Sequence, residues 1–517
     1  MNQHAALWGS LVSCAAVVNR RRADCQSARR QPPALRKQAV ALVAILSFFT
    51  GGCLKVTPYQ KPSTAVPQAF KEEPPEGWKR AQPGDGTIRG KWWVLFGDPA
   101  LNALEEQVSI SNQSLLEAEA QYRAARAAVR VARSALFPTL TSTPAITETK
   151  TSSRAGTARF APAAPVSNFD FPFAVSYEPD VWGAMRRGVA ASAATAQASE
   201  AQLENSRLLF QTELALDYFQ LHGLDGDSEL LEQTVKSYQE YLQLTKNRFE
   251  GGVASDSDVA QAETQLYTTQ SQLTDVGVAR TQMEHAIAIL IGKAPAELTI
   301  PPASIKGSPP PIPLAVPSAL LERRPDIAAA ERQVAAANEQ IGIAKAAFYP
   351  TLTLAATAGV QAGNFVNWIT WPSRFWTVGP QLAELLFDAG KRRATVQSTE
   401  AQYDATAAAY RQSVLTAFQQ VEDNLSALRI LDAEAVTLDQ AVKSAERAVL
   451  VSTEQYKAGT VNYLQVITTQ TIALQDEKSA VDLLTRRMTA SVQLVQALGG
   501  GWDTSKLPTA RDVGSER

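Results

Sequence analysis

A chain of 517 residues with 45% apolar and 19% charged residues is long enough for two or three domains, and too polar to be a bundle of membrane helices. Its net charge of −2 is spread without long runs of one sign, which excludes the clustered basic face that nucleic acid requires. The only cysteines are Cys14, Cys25 and Cys53, so nothing after residue 53 can form a disulfide or act as a thiol nucleophile.

Residues 1–52 read as a leader. Arg29, Arg30, Arg36 and Lys37 precede the apolar run Ala39 to Phe49, and Gly51-Gly52-Cys53 follows, giving a positive region, an apolar region and a small-residue cleavage site. Cys53 is therefore the expected lipidation site, although Thr50 stands where lipoprotein signals usually carry Leu or Val. A second apolar stretch, Ala5 to Val18, and the cluster Arg20-Arg21-Arg22 lie further upstream, as an overlong leader or a misplaced start. No apolar run reaches about 18 residues, so no spanning helix is expected. Residues 53–99 read as an anchored, extended segment with a Pro-rich part from Pro58 to Pro83.

The remainder repeats itself. Ala118-Glu119-Ala120-Gln121 leading to Phe137-Pro138-Thr139-Leu140-Thr141 returns as Ala330-Glu331-Arg332-Gln333 leading to Tyr349-Pro350-Thr351-Leu352-Thr353. Gly183-Ala184-Met185-Arg186-Arg187 matches Ala389-Gly390-Lys391-Arg392-Arg393, and Arg248-Phe249-Glu250-Gly251-Gly252 matches Gln455-Tyr456-Lys457-Ala458-Gly459. Such matches in one order imply a tandem duplication, with repeats over 100–292 and 318–502, a Pro-rich linker over 293–317 and a tail over 503–517.

In each repeat a helix, a strand pair and three further helices are expected. Ala-, Glu-, Gln- and Arg-rich stretches with apolar spacing of three and four predict helices over about 100–136, 183–221, 227–250 and 256–291. The second set runs over about 318–347, 391–428, 432–457 and 461–498, with Gly252 and Gly459 marking turns. Helices stacked to roughly 110 Å exceed what a globular core needs. Their alanines suit close, nearly parallel packing, which fits a non-transporting periplasmic coiled-coil scaffold as well as anything larger.

The strands discriminate. Phe169, Phe171, Phe173, Val175 and Tyr177 alternate with Asp170, Pro172, Ala174 and Ser176, as a transmembrane β-strand between lipid and water would. Its expected partner is Thr139 to Thr149, within a hairpin over about 139–180. In the second repeat, a hairpin over about 351–386, Thr351 to Val360 is expected to pair with Arg374 to Leu382, whose Trp376, Val378 and Leu382 share a face. Phe365, Trp368, Trp371 and Phe375 crowd the loop end like an interfacial aromatic girdle. Four strands cannot close a barrel alone, so a spanning sheet requires several copies.

With these strands, the Leu386-Phe387-Asp388-Ala389-Gly390-Lys391-Arg392-Arg393 strand exit and the Tyr456-Lys457-Ala458-Gly459-Thr460 turn, the chain resembles the TolC-type outer-membrane factors, and with Cys53 their OprM-like lipoprotein branch. The resemblance covers about residues 90–502. It implies a mainly α fold with a membrane β-barrel portion, a long helical barrel, and a homotrimer with a 12-stranded barrel in outer-membrane lipid. It further implies a lipid-anchored outer-membrane exit duct with a large periplasmic part, carrying small amphipathic compounds, with a periplasmic adaptor and an inner-membrane RND-type transporter as partners. A protein-export duct on the same fold remains an alternative.

No catalytic, cofactor or metal site is expected. His4, His222 and His285 are far apart without a second ligand at zinc spacing. Gly226-Asp227-Ser228, which faintly suggests a hydrolase opening, falls between expected helices rather than after a strand. The resemblance places a candidate gate at the helical tip. Asp258, with Asp256 nearby, matches a first-repeat acid, and Tyr456 matches its second-repeat partner. Second-repeat acids found in some relatives fall here on Gln465 and Thr468, and a charged link falls on Val461. The two aspartates equally suit the start of the helix near Ser255.

Overall fold

The computed structural model describes residues 58–64, 66–72, 90–150, 152, 164–312 and 317–515, and Cys53 lies outside them. Helix α1 (Pro99–Ser111) begins at Asp98, whose Oδ1 accepts from the backbone N–H groups of Ala100 and Leu101 at 2.8 and 3.2 Å. Helix α2 (Gln113–Ser134) follows after one residue, so the single helix expected over about 100–136 is divided at Asn112. Asn112 Oδ1 accepts from Leu115 N at 2.9 Å while its Nδ2 donates to the Leu290 carbonyl at 2.8 Å. One side chain thus caps α2 and ties down the end of a distant helix, which offsets the break. The second repeat divides likewise: a turn, Leu320–Arg323, precedes α5 (Pro325–Ala346), where Pro325 lacks the N–H to continue a helix but suits a first position.

Five strands follow the two short-helix segments: β1 (Thr139–Ser142), β2 (Ala145–Thr149), β3 (Val166–Tyr177), β4 (Thr351–Ala362) and β5 (Arg374–Ala383). They form one antiparallel sheet in the order β1-β3-β4-β5, with β2 also on β3. The strand expected over 139–149 is two strands in one register, Ser142 opposite Phe173 and Ala145 opposite Asp170. The ladder lapses at Thr143-Pro144, opposite Phe171-Pro172, because neither proline can donate to it.

Two pairs of long helices complete the chain. Helix α3 (Ala184–Glu250) and α6 (Lys391–Lys457) each hold 67 residues, about 100 Å at 1.5 Å per residue. Helices α4 (Asp256–Leu290) and α7 (Tyr463–Ala497) each hold 35. Breaks were expected near 221–227 and 428–432, and both helices run through them. Gly223 and Gly226 serve close packing instead. A Cβ on Gly223 would lie 2.4 Å from Thr485 Oγ1, and one on Gly226 would lie 3.1 Å from Val481 Cγ1, both on α7. Gly226-Asp227-Ser228 is therefore interior helix, where no exposed nucleophile turn can form.

The main core sits midway along these helices, where Leu214, Leu221, Ile287, Val421, Leu425 and Val495 are fully buried. Residues 58–64 and 66–72 strap across it. The Tyr59 hydroxyl donates to Glu331 at 2.6 Å, Glu422 accepts from the backbone N–H groups of Lys71 and Glu72, and Arg429 pairs with Glu72 at 2.6 Å. Among the described residues no helix is long and apolar enough to cross a membrane.

Candidate functional site: a two-faced sheet and a helical tip

Register decides what the sheet presents. Directly opposed residues share a face. Phe173, Ala358 and Trp376 form one such row, and Val175, Ala356 and Val378 the next. Leu140 and Val175, Phe171 and Val360, Phe169 and Ala362, and Tyr177 and Leu354 extend the same face. The other face carries Thr139, Thr141, Ala174, Ser176, Thr353, Thr357, Thr377 and Gln381. Phe169, Phe171, Phe173, Val175, Tyr177, Trp376, Val378 and Leu382 therefore lie on one face, across strands from both repeats. Trp376 is 75% and Val378 67% exposed in the single chain, so this apolar surface is uncovered.

At one end the rings gather: Phe169 lies 6.0 Å from Phe365 and 5.7 Å from Trp368, and Arg374 sits 3.4 Å above Trp371. At the other end the strands meet the helices at a corner held by stacked Trp182 and Tyr349, with Trp182 Nε1 donating to the Pro350 carbonyl at 2.7 Å. Each long helix is fixed to its strand by a like device. Asp180 accepts from Arg186 at 3.0 Å and Asp388 from Arg392 at 2.7 Å.

The far ends of the long helices form the tip. Gly252 and Gly459 turn the chain with φ of 74° and 76°, a region that strains other residues. Ser255 and Asp258 make a reciprocal capping box: Ser255 Oγ accepts from Asp258 N at 3.2 Å, and Asp258 Oδ2 accepts from Ser255 N at 3.0 Å. Asn462 caps α7 by accepting from Gln465 N. Asp256 and Gln465 are exposed, and the Thr468 hydroxyl donates back to Leu464 within its own helix.

Tyr456 behaves differently. It is 3% exposed in an apolar cluster with Tyr238, Leu242, Leu266, Tyr463 and Val466, and its hydroxyl has no partner among the described residues. The single chain thus does not bring Asp258 and Tyr456 into a hydrogen bond. The nearby Tyr463 hydroxyl is pushed up by burial, with Tyr456, Tyr238 and Asp258 adding to the shift.

Sequence reasoning missed Arg248, which holds the two turns together. Its guanidinium donates to the Lys457 carbonyl at 3.1 Å and lies 4.7 Å from the Tyr456 ring centroid. The signal was a charge in the first-repeat turn motif where the second repeat has Gln455. It also missed a buried network around Asp225, which accepts from Arg280 at 2.6 Å and from Ala303 N, and lies 3.0 Å from His222 Nδ1. His222 is 6% exposed and belongs to that network.

Against this geometry, the family model for outer membrane efflux proteins matches residues 104–293 and 316–500. The chain belongs to the outer membrane efflux protein family. Its place is the bacterial outer membrane, and its fold is the TolC-like one, a long helical part carrying a β portion. TtgC of Pseudomonas putida, a probable efflux pump outer membrane protein, is 28% identical over 467 residues, 89% of this chain and 95% of that one. OpmQ of Pseudomonas aeruginosa, a pyoverdine export outer membrane protein, is 30% identical over 457 residues, 87% and 96% of the two chains. The solved outer-membrane channel OprN aligns with a TM-score of 0.78 at 28% identity over 86% of this chain and 98% of its own. The efflux family is one of ducts rather than enzymes, and the chain serves as an outer-membrane channel subunit of an efflux system.

Proposed function

We propose that three copies close their sheets into a 12-stranded barrel, with the apolar face toward lipid and the threonine-rich face toward water. The observation that carries this reading is the pair of unlike free edges, β1 with β2 on one side and β5 on the other. In lipid each unpaired edge group costs several kcal/mol, so β5 of one copy must pair with β1 and β2 of the next. Below the barrel the helices form a passive conduit, and Cys53 carries a lipid anchor. Cargo is a small amphipathic compound, delivered by an inner-membrane RND-type transporter through a periplasmic adaptor and released unchanged. Relatives named for pyoverdine and toluene favour small molecules over proteins as cargo.

The conduit closes at the tip, where Asp256, Asp258, Tyr456, Gln465 and Thr468 lie near the turns. A link from Tyr456 of one helix pair to an acid of the next would loosen on opening.

The experiment is single-channel recording in planar bilayers with the purified protein, after light scattering in detergent. Three times the monomer mass and discrete conductance steps are expected. A monomer would refute the barrel. Phe173→Asp, on the lipid face, should block insertion at a cost of a few kcal/mol, whereas Thr357→Asp, on the water face, should insert and conduct.

A further inference from the structure

Between the core and the tip, a cleft of 430 Å³ opens along the seam where α3 meets α6 and α7. Leu230, Val449, Leu450 and Leu474 line it together with Tyr238 and Tyr241. Gln233, Thr234 and Ser237 add polar groups on the α3 side, and two carboxyl groups line it, the exposed Glu446 from α6 and the half-buried Glu477 from α7. Among the described residues neither has an ion pair. Gln470, 5% exposed, also lines the cleft, and neither of its amide atoms has a partner among the described residues. A buried amide left without either hydrogen bond is costly, and it is seldom left so unless something else satisfies it. Burial, with Glu446 and Asp476 close by, pushes the Glu477 carboxyl above its ordinary range, as expected for negative groups lacking a counter-charge.

The first repeat offers no such site. Equivalent helix positions lie 207 residues apart, as Ala184 does from Lys391 and Asp256 from Tyr463. The counterparts of Glu446 and Glu477 are Gln239 and Gln270, and the counterpart of Gln470 is Glu263, which already pairs with Lys246 at 2.8 Å. Both carboxylates and the orphaned amide therefore belong to one side of the duplication only.

We propose that this cleft is a binding site for small amphipathic organic cations. An ammonium or amidinium head donates to the Gln470 carbonyl oxygen and to the Glu446 and Glu477 carboxylates, while its apolar body lies against Leu450, Leu474 and the two tyrosines. A primary ammonium has three donors and no acceptor, so it matches an acceptor-rich, positive-poor site. The volume accommodates about a ten-carbon molecule while leaving room for water at the mouth. The inference deepens the conduit reading by naming one chemical class of compound that the duct wall holds.

The test is calorimetric titration of the full-length oligomer in nanodiscs with 4-phenylbutylammonium, and with 4-phenylbutanol as its neutral counterpart. The ammonium should bind at least about tenfold more tightly than the alcohol, and Glu477→Gln should remove that preference, as a lost charge-assisted hydrogen bond would. Gln470→Leu, which fills the amide's place with an apolar group, should weaken the ammonium while sparing the alcohol. Equal binding of both probes, unchanged binding in Glu477→Gln, or no binding at all because a neighbouring copy fills the cleft would each overturn the proposal. Single-channel recording on the same preparation separates the two readings: conducting channels without ammonium preference reject the cation site and leave the conduit intact.

Discussion

The two repeats share helix lengths residue for residue, 67 and 35 in each, yet differ in how their polar groups are buried and partnered, even where the residues are the same. In the first, Asp225 is 2% exposed at its side chain and binds Arg280, His222 and the linker at Ala303. Its equivalent, Asp432, pairs with the equivalent arginine, Arg487, but stands 38% exposed. Where the first repeat has His222, the second has Arg429, which reaches out to Glu72 in the strap. Phe249 is 45% exposed, and its equivalent Tyr456 is 3% exposed. Backbone geometry is thus specified twice by the same pattern of small and apolar residues. Burial of polar groups is specified once, by whichever neighbour the linker or strap supplies.

Equivalent substitutions should therefore have unequal effects. Asp225→Ala removes the most buried partner of Arg280, which keeps only its ion pair with Glu284 and a carbonyl contact, and strips Ala303 N and His222 of theirs; it should cost about 3 kcal/mol, whereas Asp432→Ala should cost less than about 1 kcal/mol because water screens the pair. Denaturant unfolding of both variants checks this, and equal losses would erase the distinction. A smaller difference is expected at the tip. Arg248→Ala removes a carbonyl contact and a ring contact and should loosen the turns by roughly 1 to 2 kcal/mol, while Gln455→Ala should do little. Hydrogen exchange at residues 251–254 and 458–462 reads this directly, and indistinguishable protection in the two variants would show that Arg248 clasps nothing.

The smallest expected effect is a pH dependence. Burial, with Glu213 close by, raises the Asp217 carboxyl from 3.8 to about 6, and its equivalent in the second repeat is the neutral Asn424. The folded form holds this proton more tightly than the unfolded one, so the stability it contributes is present below pH 4 and is lost as pH rises toward 6. Solvent screening reduces the effect to on the order of 1 kcal/mol. Asp217→Asn should flatten that part of the stability profile, measured as melting temperature from pH 4 to 7. An unchanged slope would place the titrating group elsewhere.

Much of this architecture was legible in the sequence because it rests on periodicity. Alternation at Phe169 to Tyr177 and the repeated Pro-Thr-Leu openings located the strands and their faces. The long helices were legible in extent but not in continuity. Gly223 and Gly226 look like breaks until Thr485 and Val481 are placed against them, and a contact to a residue some 260 positions away leaves no local mark. Asn112 was hidden for the opposite reason: an interior asparagine becomes a cap only because the Leu290 carbonyl is within reach. At the tip the capping box was readable from Ser255 and Asp258. The cover over Tyr456, made by both hairpins together, was not.

The close approach at Gly223 and Gly226 also sets the mechanics of the long helices. With Thr485 and Val481 occupying the space that a Cβ at either glycine would need, α3 and α7 meet there as closely as side chain on backbone allows and cannot press nearer. That contact is a fulcrum. From Gly226 to the turn at Gly252 the arm, held to the second repeat by Arg248 and the cluster around Tyr456, is about 39 Å at 1.5 Å per residue. A tilt of about 10° about the fulcrum sweeps the turn sideways by about 7 Å, more than the width of a small solute, with every hydrogen bond of the helix intact. If the duct opens at this end, the contacts of Arg248 and the Tyr456 cluster would have to release, while nothing along the length of the helix need unfold.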